Sequence, residues 1–107
     1  MTYDKVDVNQ NEIVDALEKV GATVASLARV KYGCPDLCVG FRGQNYLMEV
    51  KTKKGTLTPA QVKFFESWQG SAIVVRSVDE ALQAIGAMVS TFEQADAVLK
   101  SVEMKGN

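Results

Sequence analysis

The chain has 107 residues, 47% hydrophobic and 23% charged, with a formal net charge of −1. That suits one globular domain with a modest core and excludes a disordered or fibrous chain. No apolar run approaches a membrane span, and the polar, acidic start MTYDKVDVNQNE is unlike a signal peptide, so a cytosolic protein with no membrane partner is expected.

Two cysteines, Cys34 and Cys38, stand in a C-x3-C spacing, and the chain has no histidine. A structural zinc site wants four ligands from Cys and His, which this chain cannot supply. Both thiols read as small hydrophobes. The charge is unevenly spread. Residues 1–28 and 77–107 each carry two basic and five acidic groups. Residues 29–76 carry eight basic and three acidic groups, a local net of +5. Such a stripe either contacts phosphates or serves as a solvated basic surface.

In chain order, apolar Ile13, Ala16, Leu17 and Val20 predict a helix over Asn9–Val20, capped by Asp7 or Asn9 and stopped by Gly21. Thr23–Val30 reads as a strand, and Gly33–Pro35 as a breaker. Two strands follow, about Asp36–Phe41 and Tyr46–Thr52, joined by a hairpin turn. Lys53, Lys54 and Gly55 form a loop. Thr58-Pro59-Ala60-Gln61 is a helix start with a cap, a proline at the first position and Gln three after the cap. Gly70 ends that helix. Ser71–Arg76 is a strand, and Asp79–Val89 and 91–103 are helices. Trp68, Phe64, Phe65 and Tyr46 read as core. The order predicts an α/β fold with an αβββαβ core, a mixed sheet flanked by helices, and a C-terminal helix.

A turn centred on Gly43-Gln44 would pair Leu37 with Val50, Val39 with Met48, and Phe41 with Tyr46, all on one apolar face. The opposite face then gathers Asp36, Glu49 and Lys51, with Asp36 opposite Lys51 and Glu49 diagonal to Asp36. A shift by one whole pair keeps that grouping. Two carboxylates about 4 Å apart repel by roughly 4 kcal/mol at an effective dielectric near 20. Lys51, a proton or a bound cation can offset this. A partly exposed salt-bridge cluster and a site for a hard ion such as Mg2+ or Mn2+ both satisfy the pattern.

Pro35-Asp36 followed by Glu49-Val50-Lys51 resembles the PD-(D/E)xK nuclease superfamily. The ordered set of a helical Glu12, Gly33-x-Pro35-Asp36-Leu37, Glu49-Val50-Lys51 and Thr58-x-x-Gln61 resembles its virus-type replication–repair nuclease (VRR-NUC) family, across about residues 9–85 of a single 1–107 domain. The resemblance implies a restriction-endonuclease-like fold and a divalent-metal-dependent phosphodiesterase acting on DNA. It implies Mg2+ or Mn2+ on Asp36, Glu49 and the Val50 carbonyl, with Glu12 on a second ion or its water. Lys51 would polarise the attacking water or stabilise the transition state. With no histidine, general-base work must fall to metal, lysine or carboxylate. Gln61 is a motif residue in the family and equally a helix cap here. Glu12 reads equally as a solvent-facing glutamate near a helix start. Lys31, Arg42, Lys53, Lys54 and Lys63 are candidate phosphate contacts.

Stand-alone members of this kind are commonly phage-encoded homodimers cutting branched DNA such as four-way (Holliday) junctions. That implies a structure-specific endonuclease in a host cytoplasm. A flap or nicking nuclease and a non-catalytic nucleic-acid-binding module of this fold are the alternatives. An RNA-directed nuclease would want an aromatic strand face for stacking bases, which the sequence does not offer.

Overall fold

The computed structural model describes residues 5–87. Its elements are α1 (Lys5–Lys19), β1 (Thr23–Ser26), β2 (Leu37–Phe41), β3 (Gln44–Val50), α2 (Pro59–Ser67), β4 (Ala72–Val75) and α3 (Val78–Ala84). The four strands form one mixed sheet in the order β1-β2-β3-β4. β1–β2 and β2–β3 are antiparallel, and β3–β4 is the parallel pair joined through α2. The predicted helix 91–103 and Val89 lie outside the described residues.

The apolar face of the predicted hairpin is the core. Leu37, Val39, Met48 and Val50 are essentially inaccessible, and Phe41 is buried beside them. Ile13 and Leu17 of α1 cover this face, with Val75, Ala81 and Ile85 completing the cluster. Burying each large aliphatic side chain stabilises the fold by about 1.5–3 kcal/mol relative to exposure. Tyr46 is half-buried and packs against the cluster, as expected.

The turn differs from the prediction by one pair. Leu37 faces Met48, Val39 faces Tyr46 and Phe41 faces Gln44. The central residues are Arg42 and Gly43, with φ of 49° and 80°. Positive φ at both central positions is the twist-matching hairpin turn, so the tighter turn sets the register. A whole-pair shift leaves every side chain on its predicted face.

Other bounds also move. α1 begins by Lys5 rather than at Asn9, so Asn9 lies within the helix instead of capping it. β1 stops at Ser26, four residues short of Val30. α3 starts at Val78, capped by Ser77, whose hydroxyl accepts from the Glu80 amide at 3.1 Å. It ends by Ile85, where Gly86 adopts φ +80°.

The aromatic residues of α2 require a larger correction. Phe64, Phe65 and Trp68 were expected in the core, yet no residue of α2 is buried and Trp68 is 47% exposed. The helix lies away from the apolar cluster, and its rings pack chiefly on one another. Phe64 stacks on Trp68 with centroids 5.0 Å apart, and Phe65 meets Phe64 edge-on at 6.2 Å.

Candidate active site

The sheet face opposite the core carries Asp36, Glu49 and Lys51. Continuing the β2–β3 register by one step sets Asp36 directly across from Glu49, closer than the predicted diagonal. Asp36 is tied at both its main chain and its side chain. Its carbonyl accepts from the Leu27 amide at 2.7 Å, and its Oδ2 accepts from the Val50 amide at 2.9 Å. The second bond is made by the side chain and anchors the Asp36 carboxyl beside the Glu49–Val50 end of β3.

Glu49 is 3% exposed, an unusual environment for a carboxyl group. Its Oε2 accepts from Gln61 Nε2 at 3.1 Å and lies 3.5 Å from Lys51 Nζ. Its Oε1 is buried with no hydrogen-bond partner. Burial pushes the Glu49 carboxyl up to about 7, with the facing Asp36 adding to the rise and Lys51 opposing it. An unsatisfied buried acceptor costs about 1–3 kcal/mol, and more when charged. Such a group calls for a proton or a cation.

Lys51 is fixed through its backbone. Its amide donates to the Val75 carbonyl at 3.0 Å, and its carbonyl accepts from Asn9 Nδ2 at 2.9 Å. The same amide group of Asn9 reaches the Arg76 carbonyl at 3.3 Å, so α1 ties the ends of β3 and β4 together. Arg76 Nη1 donates to the carbonyls of Thr52 and Gly55, at 2.7 and 2.6 Å. That clamp shapes the turn presenting Lys53 and Lys54, which are both exposed. Arg76 counted only as part of the basic stripe in the sequence, and Asn9 only as a cap. No local pattern marks either role, because both depend on long-range contacts.

Gln61 caps α2 and also contacts Glu49. Its Oε1 accepts from the Thr58 amide at 2.9 Å while its own amide donates to Thr58 Oγ1 at 3.2 Å, completing the capping box. Its Nε2 remains free for Glu49. The N-terminus of α2 reaches this position because Gly33 packs against it. Gly33 has φ +79°, and a Cβ there would fall on the Ala60 carbonyl. Gln61→Ala should cost about 1–2 kcal/mol in denaturant unfolding, from the cap and the donor together. Gln61→Glu keeps an oxygen for the cap but places a carboxylate against Glu49. Its cost should be small near pH 5, where Glu49 holds a proton to share, and larger near pH 8. A cost independent of pH would refute the Gln61–Glu49 coupling.

The remaining candidates are dispersed. Glu12 is exposed on α1. Among the described residues, no three His, Cys, Asp or Glu side chains gather as a metal-holding group, so Glu12 does not join Asp36 and Glu49. Arg42 sits at the far hairpin tip, about 20 Å of strand from Asp36. Its guanidinium lies 4.8 Å from the centroid of the Phe41 ring. Lys31 and Lys63 are exposed, Lys63 on α2 just beyond Gln61. Cys34 and Cys38 are free thiols. Burial and the nearby Glu49 and Asp36 push the Cys34 thiol up, which disfavours its thiolate.

The αβββαβ core is a restriction-endonuclease-like fold, with Asp36, Glu49 and Lys51 gathered on one face of its sheet. The chain is similar to a solved structure described as a VRR_NUC domain, at 25% identity and a TM-score of 0.67, over 81% of this chain and 100% of that one. The chain has the VRR-NUC fold, in agreement with the resemblance carried by its motifs, and the likeness supports a nuclease-type function. Scans against family models and against curated proteins find no match. No described helix is long and apolar enough to cross a membrane.

Proposed function

We propose that the protein is a divalent-metal-dependent, structure-specific DNA endonuclease that hydrolyses phosphodiester bonds in branched DNA such as four-way junctions. The observation that carries this reading is the buried Glu49, with one oxygen unpartnered, facing Asp36 beside Lys51. Oxygen donors of this kind fit Mg2+ or Mn2+, and the orphaned oxygen is a ready ligand. Asp36, Glu49 and the Val50 carbonyl would hold the ion, and the exposed Glu12 takes no part in that site. A bound ion supplies an activated water and neutralises charge developing on the phosphate.

The protein's own groups do the rest. Asp36 is aimed by its bond to the Val50 amide. Gln61 orients the Glu49 carboxyl through Oε2. Lys51 brings a cation to the same oxygen and stabilises negative charge on the reacting phosphate. Lys31, Lys53, Lys54 and Lys63 would steer the DNA backbone. A homodimer would match the symmetry of a four-way junction. A flap or nicking nuclease shares every one of these groups and differs only in substrate. A binding module without catalysis has no need of a buried, unpartnered carboxyl.

The test is cleavage of a labelled four-way junction beside flap, nicked and linear duplexes, with Mg2+ or Mn2+ and an EDTA control. Junction cleavage that stops in EDTA is expected. Preferred cutting of flaps would shift the substrate, and no cleavage of any DNA would sink the enzyme reading.

A further inference from the structure

Tyr32 is 91% exposed, the most exposed large apolar side chain among the described residues. Its backbone is also unusual, with φ 66°. The left-handed region is uncommon for an aromatic residue, and no burial of the ring compensates here. Strain of that kind concentrates where a side chain has to be presented. Gly33 follows at φ +79° and packs on the start of α2, so the ring is delivered to one place.

That place is an open groove of about 320 Å3, lined by Tyr32, Ala60, Lys63, Phe64 and Ser67. It sits at the small end of ligand clefts, which run from about 300 to 1,000 Å3. Apart from the Ser67 hydroxyl, the lining is aromatic and apolar, with one cation and no carboxylate. Glu66, also on α2, is exposed but does not line it. Phe64 is backed by its stack on Trp68, which stiffens that wall. The groove also adjoins the candidate active site. Ala60 lines it, and the next residue, Gln61, bonds Glu49.

We propose that this groove holds an unpaired base of a DNA strand, stacked against Tyr32, with Lys63 on the adjoining phosphate. Aromatic faces accept any base, and a neighbouring cation tracks the backbone, which is how single strands are held without sequence preference. The surrounding basic stretch of residues 29–76 has the complementary charge. The groove would therefore favour DNA with an unpaired nucleotide near the scissile phosphate, as at a flap or where the central base pairs of a junction open. This rests on the nuclease reading for its purpose, but its measurement does not depend on cleavage.

The test uses the full chain and a single-stranded oligonucleotide carrying 2-aminopurine, with Ca2+ in place of Mg2+. Wild type should quench the probe on binding. Tyr32→Ala should weaken binding about tenfold and remove the quench, while Tyr32→Phe keeps both. Tyr32 is exposed, so the alanine variant should fold. Its Mn2+ affinity should match wild type, which separates the groove from the carboxylate pair. Absence of quenching in wild type, or equal affinity in Tyr32→Ala, would overturn the proposal. So would conversion of a dimer to a monomer by Tyr32→Ala in sedimentation, which would give the groove to a second copy of the chain. Cleavage without quenching defeats the groove alone, and quenching without cleavage defeats the nuclease reading alone.

Discussion

Lys51→Ala should abolish DNA cleavage, by at least about 100-fold, while changing DNA affinity by less than about threefold. The size follows from what the ammonium does. A preorganised charge beside a reacting phosphate, in a site this enclosed, is worth on the order of 100-fold to 1,000-fold in rate. Lys51 is 16% exposed in its side chain, and its backbone is held by Val75 on one side and Asn9 on the other. Replacing it leaves those backbone bonds in place, so the fold around it should persist. Binding should persist too, because Lys53, Lys54 and Lys63 remain exposed. Lys51→Arg keeps the charge but replaces a compact ammonium with a planar fork, and should recover only a small part of the rate. Single-turnover cleavage and anisotropy in Ca2+ separate the two quantities. Full activity in Lys51→Ala would disprove the site assignment. A second consequence follows without DNA. Lys51 lowers the Glu49 proton affinity, so its removal should push that carboxyl further up in an NMR titration.

The candidate site was legible because its residues lie on, or immediately beside, the ends of two adjacent strands. Strand alternation alone assigns Leu37, Val39, Met48 and Val50 to one face and Asp36, Glu49 and Lys51 to the other. A whole-pair error in the turn cannot change that assignment. The turn itself was misplaced, since Arg42 gives no sign in the sequence that it adopts φ 49°. The α2 aromatics were misread for a different reason. Helical spacing says which residues share a face but not whether anything packs on it. Phe64 and Trp68 share a face and stack on each other, outside the core. The contacts of Asn9 and Arg76 span 42 and 24 residues respectively, well beyond the reach of any local pattern. Glu12 illustrates the limit of a motif. The ordered set left it open between a metal role and a solvent-facing helix position, and the residue stands exposed on α1 apart from the carboxylate pair.

Glu49→Gln should make the metal-free protein more stable at pH 8 and remove most of its divalent-metal affinity. Glu49 sits at about 7 in the folded state against an ordinary 4.5, because of burial and the facing Asp36. Between those two values the folded protein binds more protons than the unfolded chain. Stability from this group is therefore full below about pH 4.5 and is lost as pH rises through about 7. A gap of this size corresponds to on the order of 3 kcal/mol. Glutamine is neutral at every pH, keeps an oxygen for Gln61 and cannot repel Asp36. Thermal melts of wild type without metal should fall between pH 5 and 8, and those of Glu49→Gln should stay nearly flat. Asp36→Asn should relieve the same repulsion while keeping an oxygen for the Val50 amide. Metal reverses the ranking. A cation has to displace the Glu49 proton, so Mn2+ affinity in wild type should weaken about tenfold per pH unit below 7. With saturating Mn2+ at pH 8, wild type should regain stability and both variants should gain little. Calorimetric titration at three pH values measures this directly. Equal Mn2+ affinity in wild type and Glu49→Gln would mean that the unpartnered oxygen is not a ligand. In that case the pair would be only a protonated structural contact, with no part in holding a metal.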